Sequence, residues 1–311
     1  MAEMHYTAIA MMATERDKLF KLHATAEMKY IAITPARDEE TFLPQLIDAM
    51  AGQTVKPARW IIVDDGSTDQ TAAIADRAAS CCDWIEIHHL PHGRPRQPGG
   101  ESVVMPFLSR PVWSSAHAIL RVDADVSFGP AFAEQLLFEL EREPDLGIVG
   151  PTILEPTASG WRRVKIPSFH TAGAAKMYRA ACFEAIGGLD PGLGWDTLDE
   201  IRATMAGYRT RSLQHVRAFH HRPQGSARGL IRGRFLTGQA AYNVGYSLAF
   251  MLARAAANLF EAPPVIGSLS LLAGFLAGYL RWQPRTAPQD VVSFIRRHQR
   301  RRLLMMDSIW R

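Results

Sequence analysis

Leu120-Arg-Val-Asp-Ala-Asp-Val-Ser-Phe128 runs from a short apolar strand, Ala118 to Val122, straight into two carboxylates one residue apart. Carboxylates taken out of water are costly unless they are paired or bound to a cation. Two of them at a strand end point to a hard-cation site, where oxygen ligands hold Mg2+ or Mn2+ together with a phosphate group. The competing reading is an acidic turn that caps a helix beginning near Pro130, since Asp is a favoured cap residue. The spacing allows both readings, and the flanking chain decides between them.

Upstream, Tyr30-Ile-Ala-Ile-Thr34 reads as a buried strand and Pro35-Ala-Arg-Asp-Glu-Glu40 as the loop after it. Phe42, Leu43, Leu46, Ile47 and Met50 then recur at helical spacing, with Thr41 as cap and Gly52 as stop. Trp60 to Val63 is a second strand ending in Asp64-Asp-Gly-Ser-Thr-Asp69, Thr71 to Ser80 the next helix, and Trp84 to His88 a third strand. Such alternation argues for a parallel sheet with helices on both faces, whose ligands gather at the carboxyl ends of the strands. Asp38, Asp65 and the Asp123/Asp125 pair all follow strand ends. That placement favours the ligand reading over the cap.

Leu90 to Arg110, rich in Pro, Gly and Arg without periodicity, reads as a loop. Downstream, Ala131 to Arg142 is an amphipathic helix, Gly147 to Ile153 a strand, and Trp161 to Thr171 a basic segment that flanks a loop over the site. Ala174 to Tyr178 follows as a strand, then a short helix from Ala180 to Ile186 and the turn Gly187-Gly-Leu-Asp-Pro-Gly192.

Val63-Asp-Asp-Gly-Ser-Thr-Asp69, Asp123-Ala-Asp125, Gly187-Gly-Leu-Asp190, and Asp196 ahead of Arg202 and Gly207-Tyr208 come in an order that resembles the inverting nucleotide-sugar glycosyltransferases of family 2. The resemblance covers about residues 29–225. It implies an α/β fold of the GT-A type: a Rossmann-like, mixed and mostly parallel sheet flanked by helices. Residues 29–126 would form the nucleotide-sugar half and 127–225 the acceptor and catalytic half. By the same resemblance Pro35, Arg37, Glu39 and Asp65 line the nucleotide pocket, Asp123 lies by the ribose and the metal, and Asp125 coordinates the divalent cation, Mn2+ or Mg2+. Asp196 falls where the family keeps its catalytic base. The donor is a nucleoside-diphosphate sugar, by default a UDP-sugar, and the acceptor a saccharide or lipid-linked saccharide of cell-envelope or exopolysaccharide synthesis.

Elementary chemistry supports these roles. A divalent cation offsets the charge left on a departing diphosphate. An acceptor hydroxyl needs a carboxylate within hydrogen-bond reach to take its proton. One base beside a held diphosphate suffices for inversion, whereas retention by double displacement needs a second carboxylate as nucleophile.

The chain also departs from the family pattern. Trp195 stands where the family has Glu before the base, and Asp199 and Glu200 compete with Asp196 for that role. The alternative for those two is a solvated helix face with Arg202 as salt-bridge partner. The usual Gly-rich loop with its Arg and Asn is missing before the Asp-x-Asp, leaving Arg94 or Arg96 as substitutes. His220, His221 and Arg222 lie where related enzymes close a segment over the diphosphate. Each suits phosphate or metal, but two adjacent histidines after a strand do not both face inward.

Residues 226–311 read as a helical, membrane-associated C-terminal extension. Arg228 to Leu259 looks helical, and Val265 to Leu280 carries no charge over sixteen residues, short of the ~20 that a bilayer span needs. Arg281, Trp282, Arg285 and the cluster Arg296 to Arg302 fit attachment to anionic lipid on the cytoplasmic side of the cell membrane. A tail packed on the domain or on a second subunit is the alternative.

The 311 residues, 47% hydrophobic and 21% charged with net charge +4, are those of a globular protein. No secretion signal is visible in residues 1–28, an N-terminal extension without a strand pattern. Cys81, Cys82 and Cys182 have no metal-ligand spacing and read as reduced thiols. Two other functions compete: a nucleotidyltransferase, which would carry a Gly-rich loop after the first strand, and a catalytically inactive membrane-bound scaffold of the same fold. Nucleic acid is not expected as a partner.

Overall fold

The computed structural model describes residues 28–93, 95, 101–108, 110–167, 169–222, 229–261 and 263–309. Residues 1–27 of the extension 1–28 and the candidates Arg94 and Arg96 lie outside them.

Nine strands form one sheet: β1 Tyr30–Ala36, β2 Arg59–Asp64, β3 Ile85–His89, β4 Ala118–Val122, β5 Val126–Phe128, β6 Leu146–Thr157, β7 Gly160–Arg163, β8 Ala175–Arg179 and β9 Arg209–His220. Their order is β3-β2-β1-β4-β8-β6-β9-β5, with β7 beside β6. The first four strands are parallel, as the alternation with helices requires. The expected mostly parallel character ends there: β8 runs antiparallel to β4 and β6, and β5 antiparallel to β9, while β6 and β9 are parallel. The sheet is therefore evenly mixed, because after β4 the strands no longer come as strand–helix–strand repeats. Strand β1 runs through Pro35 to Ala36, two residues beyond the expected end. Pro35 is tolerated because its register partner is Val63 of β2, while the β4 pairing stops at Ile33. The missing N–H therefore falls where one neighbour has diverged.

Alternation along the strands sends Trp60 and Ile62 to one face and Ile61 and Val63 to the other. On the first face lie helices α1 Leu43–Ala51, α2 Thr71–Cys81 and, further along the chain, an apolar helix at Phe132–Arg142. Helix α1 starts without a side-chain cap at Phe42, so Thr41 is not its cap; the Glu39 carbonyl accepts the Phe42 and Leu43 N–H groups instead. Gly52 does end it. The stretch read as a loop from Leu90 to Arg110 holds a short helix, α3 Glu101–Val104, and a 3-10 turn at Met105–Phe107, and a second short helix, α4 Arg110–Trp113, begins at its last residue. Each is a single turn, too short to display a helical period, yet Val103, Val104, Leu108 and Trp113 are buried on the second face. The helix at Phe132–Arg142 is thus α5. Helices α6 Ala180–Ala185 and α7 Trp195–Met205 complete the second face.

Four helices follow: α8 Leu230–Val244, α9 Leu248–Ala257, α10 Ile266–Leu280 and α11 Gln289–Leu303. The continuous helix expected from Arg228 to Leu259 breaks at Gly245, whose φ of 93° is left-handed, and Ser247 caps the restart by accepting the Phe250 N–H. Leu198 and Ile201 of α7 pack into the core of these helices, so α7 is held between the sheet and the C-terminal helices. Helices α8 and α10 approach closely through glycines: a Cβ at Gly274 would lie 1.9 Å from the Phe235 carbonyl oxygen. Among the described residues no helix is long and apolar enough to cross a membrane; the fifteen residues of α10 span about 22 Å, against the ~30 Å of a hydrocarbon core.

Candidate active site

The loops after β1 and β2 are built as one unit. Asp38 adopts a left-handed φ of 56°, which turns its N–H to the Ser67 Oγ at 3.0 Å and its Oδ1 to the Thr68 N–H at 2.8 Å. Asp, with a short side chain that bonds nearby backbone, is among the residues that tolerate this conformation. The Glu39 N–H donates to the Thr71 Oγ1 at 2.7 Å, and the Glu40 N–H to Asp69 at 3.1 Å. Asp64 is buried, with its Oδ1 accepting the Ser67 N–H and its Oδ2 beside His89 Nδ1 at 3.1 Å. These bonds leave Asp65 turned toward Arg37, at 3.2 Å. Arg37, Glu39 and Asp65 are therefore brought together at the ends of β1 and β2, with Pro35 one residue before the strand closes. Asp38, Ser67 and Thr71 tie the two loops together; of these Thr71 carries no sequence signal.

Asp123-Ala-Asp125 is the turn between β4 and β5. It does not cap a helix, because β5 intervenes and α5 has Ala131 at its start with no side-chain cap. The Asp123 N–H donates to the Ala174 carbonyl at 2.9 Å, and its Oδ1 lies 2.7 Å from Arg121 Nη1. The β5–β9 ladder pairs Val126 with His220 and so carries the end of β9 to the Asp-x-Asp turn. His220 Nε2 lies 3.3 Å from Asp125 Oδ1, and Arg222 Nε 3.0 Å from Asp125 Oδ2. Arg222 also pairs with Glu39 and covers the Phe42 ring. The two histidines diverge. His221 hydrogen-bonds Ser127 at 2.8 Å and stacks on Phe42, away from the carboxylate pair.

One ligand atom each from Asp123, Asp125 and His220 fall within 4.8 Å of one another. Two carboxylate oxygens and an imidazole make a donor set suited to Mn2+ and compatible with Mg2+. Burial raises the Asp123 carboxyl above its usual range and Asp125 adds to that, against the pull of Arg121. Burial works the same way on Asp125, but His220 and Arg222 outweigh it and hold it low. Burial would lower His220, yet Asp125 and Glu155 carry it to about 10.

Asp196 occupies the first turn of α7, following Gly194 in a left-handed conformation (φ 94°). Among the described residues its carboxylate makes no hydrogen bond or ion pair, while its backbone carbonyl accepts from Lys176 Nζ at 2.5 Å. It lies next to the Asp123 side of the site: a Cβ at Gly173 would come 3.3 Å from the Asp196 Cβ, and Ala174 is the residue that holds the Asp123 N–H.

Asp199 and Glu200 are not a solvated face; they are only 2% and 1% exposed. Arg202 is not their partner but pairs with Asp190 at 2.6 Å. Instead Lys176, itself 0% exposed, lies 3.1 Å from both Asp199 oxygens and 3.0 Å from Glu200. Glu200 further accepts the Thr171 N–H and hydroxyl at 2.6 Å and meets His170 Nδ1 at 2.7 Å; Tyr178 donates to Asp199 at 2.5 Å. Burial drives both carboxyls upward. His170 and Lys176 overcome this at Glu200, whereas Asp199 stays raised despite Lys176. Their oxygens are thus engaged by neighbouring side chains and enclosed in the protein. Sequence reasoning passed over Lys176 and Arg121, although a charge inside an apolar strand run was a legible sign that a partner waits in the core.

The Glycosyl transferase family 2 model matches residues 31–189, just over half of the chain. No curated protein sequence matches. Among solved structures, residues 1–349 of TarS from S. aureus superpose with a TM-score of 0.52 at 17% identity, covering 82% of this chain and 73% of that one. The mannosyltransferase PcManGT from Pyrobaculum calidifontis, in complex with GDP-Man and Mn2+, gives 0.54 at 17% identity over 86% of this chain and 78% of that one. GalNAc-T7 with UDP, GalNAc and Mn2+ gives 0.55 at 13% identity over 81% and 54%. These likenesses support the fold, and the matched segment carries both the β2 loop and the Asp-x-Asp turn. The chain belongs to glycosyl transferase family 2.

Proposed function

We propose that this glycosyltransferase moves a sugar, with inversion, from a nucleoside-diphosphate sugar to a hydroxyl of a saccharide or lipid-linked saccharide. The carrying observation is the convergence of Asp123, Asp125 and His220, with the unpaired Asp196 carboxylate one segment away. Arg37, Glu39 and Asp65 receive the nucleoside at the ends of β1 and β2. Asp123, Asp125 and His220 hold a divalent cation, which when bound offsets charge on the departing diphosphate. Arg222, paired with Asp125 and Glu39 in the free protein, has the fork geometry to turn to a phosphate oxygen. Asp196 takes the proton of the acceptor hydroxyl as it attacks.

A panel of UDP-, GDP- and other nucleotide sugars, screened by thermal shift with Mn2+ or Mg2+, tests the donor. We expect stabilisation by a UDP-sugar that requires the cation, since a ligand bound only by the native state raises apparent stability. Absence of a shift with every donor would remove the reading.

The C-terminal helices suit contact with the cytoplasmic face of an anionic membrane, where envelope polysaccharide acceptors are lipid-linked. Ile266, Leu269, Ala273, Leu276 and Leu280 form an exposed apolar stripe along α10, with Trp282 91% exposed at its end, and Leu248, Leu252 and Phe260 are exposed as well. Arg300 to Arg302 and exposed Leu303 to Met306 close α11. Apolar helix faces beside Arg clusters bind anionic interfaces. The protein is expected to sediment with phosphatidylglycerol-containing vesicles, less so at high salt, and Leu269→Glu with Leu276→Glu to release it. Recovery of the unaltered protein wholly in the supernatant, with no vesicle dependence, would refute the contact.

A further inference from the structure

Trp195 takes the place that the family resemblance reserves for a carboxylate, directly before Asp196. Its indole is almost enclosed and packs over two buried cations that stand opposite each other on β4 and β8: Arg121 Cζ is 4.9 Å from the ring centroid and Lys176 Nζ 5.4 Å. Each cation already holds one side of the site. Arg121 is bound to Asp123 and donates to the Gly173 carbonyl at 2.5 Å. Lys176 donates to the Asp196 carbonyl and is neutralised by Asp199 and Glu200. Gly173 lies beneath both residues of the pair: a Cβ there would meet Trp195 Cζ2 at 3.0 Å and Asp196 Cβ at 3.3 Å.

A carboxylate at 195 would compete with Asp123 for Arg121, or with Asp199 and Glu200 for Lys176. A π face attracts cations without taking either from its partner. We infer that Trp195 is a positioning residue that keeps Asp196 in register with Asp123, its ring resting on Lys176, which binds the Asp196 carbonyl, and on Arg121, which binds Asp123. The inference rests on Asp196 acting as the base and adds how this chain aims that base without the neighbouring acid.

The test compares Trp195→Leu, Trp195→Phe, Asp196→Asn and the double variant Trp195→Leu/Asp196→Asn in sugar transfer by the full chain, with donor affinity followed separately by thermal-shift titration. Misplacing a reacting group by about 1 Å costs about 10²-fold. Trp195→Leu is therefore expected to lower kcat on that scale with donor affinity retained, and Trp195→Phe, which keeps a π face, to recover most of the loss. Because the ring acts through Asp196, the double variant is expected to be no slower than Asp196→Asn alone. A merely structural role would lower melting temperature and multiply the two losses. Should Trp195→Leu not fold, Gly173→Ala presses on the same two residues, and the same non-additive loss is expected.

Additive losses, or full kcat in Trp195→Leu or Gly173→Ala while Asp196→Asn is inactive, would overturn the inference. Full activity of Asp196→Asn would instead overturn the base on which it rests.

Discussion

Asp196→Asn lowers kcat by about 10²–10⁴-fold, the range that a positioned general base contributes, with little change in donor KM. Asn keeps the shape and the backbone carbonyl that Lys176 binds, so the first turn of α7 is expected to hold its place. What is lost is a proton acceptor. No described neighbour can replace it, because the Asp199 and Glu200 oxygens are engaged by Lys176, Tyr178, Thr171 and His170. Initial rates of sugar transfer across a pH series, at saturating donor, measure this. A kcat within about threefold of the unaltered enzyme, against that 10²–10⁴-fold expectation, would assign proton removal elsewhere.

Asp125→Ala acts on the other side of the site. It removes one oxygen of the three-residue cluster and the carboxylate that His220 and Arg222 share. Turnover is expected to fall by at least about 10²–10³-fold, the cost of removing one preorganised contact to developing charge. Stabilisation by added Mn2+ should vanish as well, since a cation stabilises the native state only through sites it binds there. The His220 imidazole, carried to about 10 by Asp125 and Glu155 against burial, falls when Asp125 is gone. That fall is measurable by NMR titration in the absence of metal. Equal Mn2+ stabilisation of the variant and the unaltered protein, with turnover preserved, would place the cation elsewhere.

Elements with a strong local period were the legible ones. Tyr30 to Thr34 and Trp60 to Val63 are unbroken apolar runs and form central strands, and Phe132 to Arg142 shows its buried Leu136, Leu137 and Leu140 at helical spacing. The single-turn helices at Glu101–Val104 and Arg110–Trp113 had too few residues to show a period. The break at Gly245 did carry a signal, a glycine stop followed two residues on by a Ser cap, but the apolar residues beyond it continue the helical pattern across it. In the site, the carboxylates at the ends of β1, β2 and β4 could be read one motif at a time. The roles of Asp199 and Glu200 could not: a charged pair on a helix looks like a wet surface until Lys176 of β8, distant in sequence, is found bonded to both.

The amino-acid sequence by itself determined the family, the parallel opening of the sheet and the acidic residues gathered at strand ends. These follow from short-range periods and spacings that survive without any knowledge of neighbours. Which histidine meets Asp125 was decided by the antiparallel register of Val126 with His220, since a one-residue slip would exchange His220 for His221. The pairing of Arg222 with Asp125 spans 97 residues, and the contacts of the Trp195 ring with Arg121 and Lys176 join β4, β8 and α7. Such contacts depend on how the strands pair and how α7 is pressed against them, and only the tertiary structure holds that information.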